Sequence, residues 1–333
     1  MRWGLRALMV ALLAAGAAAT GAWYTLNSPG PPVSRPITIT VEQGERFARI
    51  ADDLAGQGVL HHPLPLVVWA RVTGLDRSVH WGEYLITTPL TPRELLARLT
   101  GPPDTLHPVT IPEGFTLEQI VSTFAAAGFG SPESFRCLLD DPLFLASEEL
   151  PPEGAEGYLF PDTYAFPLAT PQERILRTMV HHFRSVFDAT LRTRGAALGL
   201  SPHQAITLAS LIEEETGRAD ERPLVAAVFL NRLRQGMPLQ SDPTVLYGRT
   251  ADDRAITHAD LQRATPYNTY RISGLPPGPI SNPGRAALEA AVDPAPVDYL
   301  YFVARGDGTH EFSRSLHEHN AAVARYRHQA GTH

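Results

Sequence analysis

Ser201-Pro202-His203-Gln204-Ala205-Ile206-Thr207-Leu208-Ala209-Ser210-Leu211-Ile212-Glu213-Glu214-Glu215-Thr216-Gly217 is the most informative stretch of this chain. Ser201 with Gln204 three residues later makes a capping box, and Pro202 takes the first helical position, where a missing N–H costs nothing. A helix is therefore expected to begin there and to stop at Gly217. At about 100° per residue, Ala205, Leu208, Leu211 and Ile212 share a face, and Glu215 projects between Leu211 and Ile212. Glu213 and Glu214 project to either side of the polar half, where solvation is expected. One carboxyl of the three thus points at apolar neighbours, which disfavour its charged form and keep it protonated near neutral pH, as a general acid requires. Two plainer readings stand beside this one: an ion pair with Arg222 or Arg232, or a last-turn residue that reaches solvent.

Downstream, Asp220-Glu221-Arg222-Pro223 opens a second helix, with Asp220 as N-cap, Val225, Val228, Phe229 and Leu233 as its apolar stripe and Gly236 as its end. The loop Met237-Pro238-Leu239-Gln240-Ser241-Asp242-Pro243-Thr244 then gathers amide, hydroxyl and carboxylate groups, a composition suited to gripping sugar hydroxyls and equally common in plain turns. Upstream, the aromatic-rich loop from Glu156 to Tyr164 precedes a long amphipathic helix expected around Arg174 to Arg192. Val109-Thr110-Ile111 reads as a strand, and Thr116 with Gln119 starts a helix running to Ala127.

Before a break at Gly101-Pro102-Pro103 the pattern is a small alternating unit. Ile37 to Val41 and Tyr84 to Ile86 read as strands, whereas Ala48 to Leu54, Leu64 to Val72 and a segment opened by Thr91-Pro92-Arg93-Glu94 read as helices. No internal repeat or heptad array is present.

With 333 residues, 44% hydrophobic and 19% charged, the chain is long enough for two globular units plus a short extension. A formal charge of -7 argues against a polyanion-binding surface, so no nucleic acid partner is expected. All 28 basic side chains are Arg, which we read as composition bias. Cys137, the single cysteine, excludes an intrachain disulfide and is expected to be a buried, inert thiol. The pairs His61-His62 and His181-His182 and the run His317-Glu318-His319 lack the spacing of a zinc site, so neither a metal nor another cofactor is expected.

From Leu5 to Leu26 the chain is almost wholly apolar, with Arg2 and Arg6 at its start. It is long enough to span a bilayer with the N-terminus in the cytoplasm and the rest outside. A cleaved signal peptide competes, because Ala14 to Ala19 offers small-residue cleavage sites. Trp23 and Tyr24, suited to a membrane interface, favour the uncleaved anchor. Asn27 to Pro36, rich in Pro, reads as a stiff spacer lifting the folded part off the membrane.

Several motifs, taken in order, resemble the endolytic murein transglycosylase family (MltG, or YceG-like). They are Ala209 to Thr216, Val228-Phe229-Leu230-Asn231-Arg232-Leu233, Gly236 to Gly248, Tyr267-Asn268-Thr269-Tyr270, and Gly274-Leu275-Pro276-Pro277-Gly278-Pro279-Ile280. The likeness extends to the Glu156 to Tyr164 loop, to Tyr299 to Val303 and to His310 to Asn320. The resemblance implies an α+β protein with an N-terminal transmembrane helix (1-27), a Pro-rich spacer (28-36) and a small LysM-like α+β domain (37-104). A larger α+β catalytic domain (105-330) follows, with its catalytic glutamate on a helix. The family's catalytic glutamate precedes a Thr and maps onto Glu215, the residue chosen by helical phase. Gln240, Asp242, Tyr247, Asn268, Thr269 and Tyr270 fall in the family's substrate-binding segments. Glu214 departs from many members, which have Lys there.

The implied reaction is cleavage of the β-1,4 bond between N-acetylmuramic acid and N-acetylglucosamine with a 1,6-anhydro end. The implied partners are peptidoglycan glycan strands, the cytoplasmic membrane and peptidoglycan synthases, with a role in ending nascent strands. Two other functions fit the residues: a hydrolytic muramidase, with Asp242 or Glu221 assisting water beside Glu215, and a non-catalytic peptidoglycan-binding protein.

Overall fold

The computed structural model describes residues 2–33, 35–248 and 256–330, with the side chains of most early residues of the first helix and of 327–330 outside that description. The chain forms two compact units, Met1–Pro108 with Ala165–Pro171, and Val109–Tyr164 with Gln172–His333. Secondary structure is mixed: helices dominate, and the strands form three short two-stranded sheets.

The first unit runs α1 (Arg2–Asn27), β1 (Ile37–Val41), α2 (Phe47–Gly56), α3 (Pro63–Thr73), β2 (Gly82–Ile86), α4 (Pro92–Leu99) and β3 (His107–Thr110). β1 and β2 pair antiparallel from Ile37 opposite Ile86 to Val41 opposite Gly82, which turns Ile39, Val41, Tyr84 and Ile86 inward. Ile50, Leu54, Leu66, Leu95 and Leu99 from the three helices close this core. Tyr84 is fully buried, yet its hydroxyl donates to the carbonyls of His80 (2.8 Å) and Leu99 (3.1 Å), so no polar group is stranded. The predicted Thr91 capping box is formed in full: Glu94 N–H donates to Thr91 Oγ1, and Thr91 N–H donates to the Glu94 carboxylate.

The spacer differs from expectation. Gly30 N–H donates to Leu90 C=O (2.9 Å), and a Cβ at Gly30 would come within 2.2 Å of Val59 O. The missing side chain at Gly30 lets this part of the segment lie against Val59 and Leu90 of the unit that follows. Among the described residues no helix is long and apolar enough to cross a membrane, and the expectation for Leu5 to Leu26 falls in part on side chains outside the described ones.

The second unit contains α5 (Leu117–Ala126), α6 (Pro132–Leu139), α7 (Pro142–Ser147), β4 (Thr163–Phe166), α8 (Gln172–Val186), α9 (Ala189–Ala197), α10 (Pro202–Glu215) and α11 (Arg222–Arg234). α12 (Pro243–Leu246), α13 (His258–Gln262), α14 (Arg285–Val292), β5 (Tyr301–Ala304), β6 (His310–Ser313) and α15 (Leu316–Ala330) follow. β5 pairs antiparallel with β6, from Tyr301 opposite Ser313 to Ala304 opposite His310. The single long helix expected around Arg174 to Arg192 is two. Asp188 accepts the N–H groups of Thr190 (2.8 Å) and Leu191 (3.0 Å), capping a new helix where the first ends. Cys137 is exposed, correcting the buried thiol: α6 turns Phe135 and Leu139 to the core, and Cys137 lies midway between them on the far side.

The core of this unit surrounds α10. Eight consecutive residues, Ala205 to Ile212, are buried, because α9, α11, α12 and α14 all pack on this helix. It is a central helix, not the one-faced helix that its phase suggested.

Candidate active site

Helix α10 starts as expected, with the reciprocal bonds of Ser201 and Gln204 and Pro202 in its first turn. Its last turn delivers Glu213, Glu214 and Glu215 to three different environments. Glu213 is not solvated. Its carboxylate accepts from Arg222 Nη2 (2.6 Å) and from Gly284 N–H (2.9 Å), and the two side chains of this ion pair are 6% and 9% exposed. Glu113 joins them at 3.5 Å from Arg222. Gly284 permits the arrangement, since a Cβ there would lie 1.8 Å from Glu113 Oε1. Glu214 is exposed, and burial of its carboxyl together with the charge of Glu213 holds its pKa above the usual carboxylate range.

Glu215 accepts a hydrogen bond from Ser241 Oγ at 2.5 Å. Burial pushes its pKa up to about 7; the Ser241 bond opposes that shift, the charges of Asp242 and Glu214 add to it, and Arg232 opposes it weakly. Among the described residues neither Arg222 nor Arg232 forms an ion pair with Glu215: Arg222 is taken by Glu213, and Arg232 is spent on backbone. Its guanidinium donates to the carbonyls of Leu300 (2.6 Å), Leu239 (2.8 Å) and Pro238 (3.3 Å) and lies over the Tyr301 ring at 5.1 Å.

Those bonds hold the loop that presents Ser241. Gln240 sits in the left-handed region at φ 54°, a conformation that costs a non-glycine residue about 1 kcal/mol. The neighbouring contacts enforce it: Gln240 N–H donates to Thr269 C=O (3.2 Å), Ser241 N–H to Thr269 Oγ1 (2.9 Å), and Thr244 Oγ1 to Ser241 C=O (2.6 Å). Thr269 is wholly buried and Asn268 nearly so. Asn268 Nδ2 donates to the carbonyls of Leu261 and Arg263, and its Oδ1 accepts Tyr270 N–H. Both residues, expected to touch substrate, stand behind the Ser241 loop and shape it. Their side chains already have polar partners inside the protein.

The other expected binding residues present accessible groups. Gln240 and Asp242 are exposed, and Tyr270 hydroxyl donates to Asp242 Oδ1 at 2.5 Å, fixing that carboxylate close enough to Glu215 to raise its pKa. Tyr247 is half-buried and lies against Tyr267, ring centres 4.6 Å apart. Its hydroxyl donates to Glu156 Oε2 (3.3 Å).

Glu156, Ser241 and Asn282 were not singled out from the sequence, and Arg232 was expected only as an ion-pair partner of Glu215. Glu156 also accepts from Leu117 N–H at the start of α5 (3.0 Å) and from Asn282 Nδ2 (2.9 Å), while burial lifts its pKa to about 7 against those bonds. Asn282 is fully buried. It accepts Leu159 N–H (2.9 Å) and donates to Phe115 C=O (2.9 Å), joining the 156–159 loop to the segment before α5. Only the polar composition of the two loops signalled such roles. Glu221, a candidate water activator, is closed in instead: it accepts from His310 Nδ1 (2.7 Å), His310 N–H (2.9 Å) and Thr216 Oγ1 (3.3 Å). Its expected neighbour Asp220 does not cap α11. Asp220 pairs with Arg218, and Glu221 takes the N-cap position.

The model of the YceG-like family matches residues 39–325, which include the capping boxes at Thr91, Thr116 and Ser201, the Glu215 turn and the Ser241 loop. The chain belongs to the YceG-like family. Among relatives in this family, it is 33% identical over 306 residues to the endolytic murein transglycosylase of Bacillus subtilis (strain 168), covering 87% of this chain and 84% of that protein. It is 29% identical over 360 residues to the protein of the same name from Streptococcus pneumoniae (strain R6), covering 96% of this chain and 64% of that protein. The crystal structure of a yceG-like protein from Listeria monocytogenes superposes with a TM-score of 0.60 at 31% identity, over 87% of this chain and 99% of that one.

Proposed function

We propose that this YceG-like protein is an endolytic lytic transglycosylase that cuts peptidoglycan glycan strands at the β-1,4 bond between N-acetylmuramic acid and N-acetylglucosamine. The observation that carries the reading is Glu215, a desolvated carboxyl with a pKa near 7, held by Ser241 and free of any arginine ion pair among the described residues. In its protonated form it donates to the leaving glycosidic oxygen as the C1–O bond breaks. As a carboxylate it then takes the proton from the muramoyl 6-hydroxyl while O6 closes on C1. The proton returns to Glu215, a 1,6-anhydro end forms and no water is consumed. A pKa near neutrality suits both halves, because acid and base forms are each accessible.

Asp242, held by Tyr270, supplies negative charge beside the positive charge that develops at the anomeric carbon. The tilted Tyr247 and Tyr267 rings offer apolar faces for pyranose rings, with Glu156 fixing the Tyr247 hydroxyl. Asp242 also supports the second reading, a hydrolase that activates water with this carboxylate. Mass spectrometry of products from polymerised glycan distinguishes them. The transglycosylase leaves anhydro-muramoyl ends, and reducing ends in their place would refute it. Cleavage that survives in purified Glu215→Gln would refute the role of Glu215 and favour a binding protein in which Glu215 is structural.

The same proposal places the chain at the outer face of the cytoplasmic membrane, with α1 as an uncleaved anchor, a LysM-like first unit, and peptidoglycan synthases as its neighbours in ending nascent strands. The support is the apolar run from Leu5 to Leu26 behind Arg2 and Arg6, and a helix of 26 residues, about 39 Å long at 1.5 Å per residue.

A further inference from the structure

Helix α3 carries an apolar stripe that its own unit does not cover. Leu66 and Ala70 are fully buried, but Leu64, Val68 and Val72, spaced four apart on the opposite side, are 72%, 59% and 76% exposed. The helix has no acidic residue, and its only charge is Arg71. Facing this stripe is the last turn of α1. Ala22, Trp23 and Leu26 of α1 with Leu64, Pro65, Val68, Trp69 and Val72 of α3 line one continuous groove of about 480 Å³, closed at its edge by Arg93, whose guanidinium lies 5.3 Å from the Trp69 ring. Trp23 and Tyr24 remain 64% and 68% exposed beside it. Contiguous exposed apolar surface on this scale is uncommon without something to cover it.

The occupant follows from continuity with α1. Gly30, three residues after α1 ends at Asn27, donates to Leu90 C=O, so the end of α1 is tied closely to the first unit. The α3 stripe therefore sits level with Trp23 and Tyr24, at the height where an anchored α1 would leave the hydrocarbon. We propose that α3 lies in the headgroup–acyl boundary of the same bilayer, so that the first unit is seated on the lipid surface. α3 is apolar nearly all round, one side filling the core and the other offering Leu64, Val68 and Val72 to hydrocarbon, while Arg71 and Arg93 with no acidic residue on the helix favour anionic headgroups. This inference rests on the anchoring reading of α1.

The test uses the full chain with Cys137→Ser, so that one introduced cysteine carries an environment-sensitive fluorophore: Val68→Cys on the stripe, or Arg49→Cys on the exposed side of α2 as reference. The proteins are reconstituted in vesicles of equal parts phosphatidylethanolamine and phosphatidylglycerol. The expected result is a blue-shifted emission at position 68 that is quenched by lipids spin-labelled near the headgroup, with emission at position 49 unchanged. A chain that floats with vesicles while position 68 stays water-like overturns the seating of α3 and leaves the anchor standing. A chain that does not float with vesicles overturns both. A blue shift at position 68 that disappears on dilution into excess lipid shows that a second copy covers the stripe, and overturns the lipid assignment.

Discussion

Replacing Ser241 by Ala removes the one hydrogen bond that, among the described residues, stabilises the charged form of Glu215 and leaves the loop around it in place. The loop is held by the backbone of residue 241, through its N–H to Thr269 and its carbonyl from Thr244, and by Arg232 on the carbonyls before it. Alanine keeps all of these. A hydrogen bond to a charged group contributes about 1.5–3 kcal/mol, and at 1.36 kcal/mol for each pH unit its loss raises the Glu215 pKa by about 1 to 2 pH units above its value near 7. Donation to the leaving oxygen requires the protonated form, so the alkaline limb of kcat/KM reports this pKa. The expected result for Ser241→Ala is an alkaline limb moved upward by about 1 to 2 pH units, with a lower plateau because the acid is weaker. The assay is release of anhydro-muramoyl products from polymerised glycan, quantified by chromatography between pH 5 and 9. An alkaline limb that stays in place, or moves to lower pH, would refute the claim that Ser241 sets the protonation of Glu215.

Glu215→Gln should lower cleavage by about 10²–10⁴-fold and also change the pH dependence of stability. Its folded pKa is raised from 4.5 to about 7, so the native state holds a proton that the unfolded chain has released, and stability is lost as pH rises through that interval. Urea midpoints of Glu215→Gln should therefore gain on the parent between pH 5 and 8, by about 3 kcal/mol at the upper end; a constant difference would contradict the raised pKa. Arg222→Met strands Glu213 as a buried, unpaired carboxylate, and urea unfolding at pH 7 should show a loss of about 3–5 kcal/mol. Glu221 behaves in the opposite sense to Glu215: burial pushes its pKa up, but the bonds from His310 outweigh that and hold it below the usual carboxylate range. Its stabilisation is present above the ordinary glutamate pKa and lost as pH falls through the depressed one, so Glu221→Gln should unfold with a flatter acid limb, measured by urea titration from pH 6 to 3.

The sequence by itself determined what is local. Capping boxes at Thr91, Thr116 and Ser201 each satisfy backbone N–H groups from residues three apart, so the starts of α4, α5 and α10 were legible without any tertiary partner. The strand alternation of Ile37 to Val41 likewise set which side chains face the first core. Ordered motifs then carried the family and, through it, Glu215. Helical phase alone would not have sufficed: it gives the direction in which a side chain leaves its helix, and α10 is buried on every side between Ala205 and Ile212.

What separates the three glutamates is which distant segment meets each one. Gly284 and Arg222 close Glu213, Glu214 is left exposed, and Ser241 reaches Glu215 from 26 residues away. The same long-range contacts bury Asn268 and Thr269 behind the Ser241 loop and set Gly30 against the first unit. Caps and periodicities are written in neighbouring residues. Desolvation and hydrogen bonding at a carboxyl depend on the packing of segments remote in the chain, and only the tertiary structure decides those.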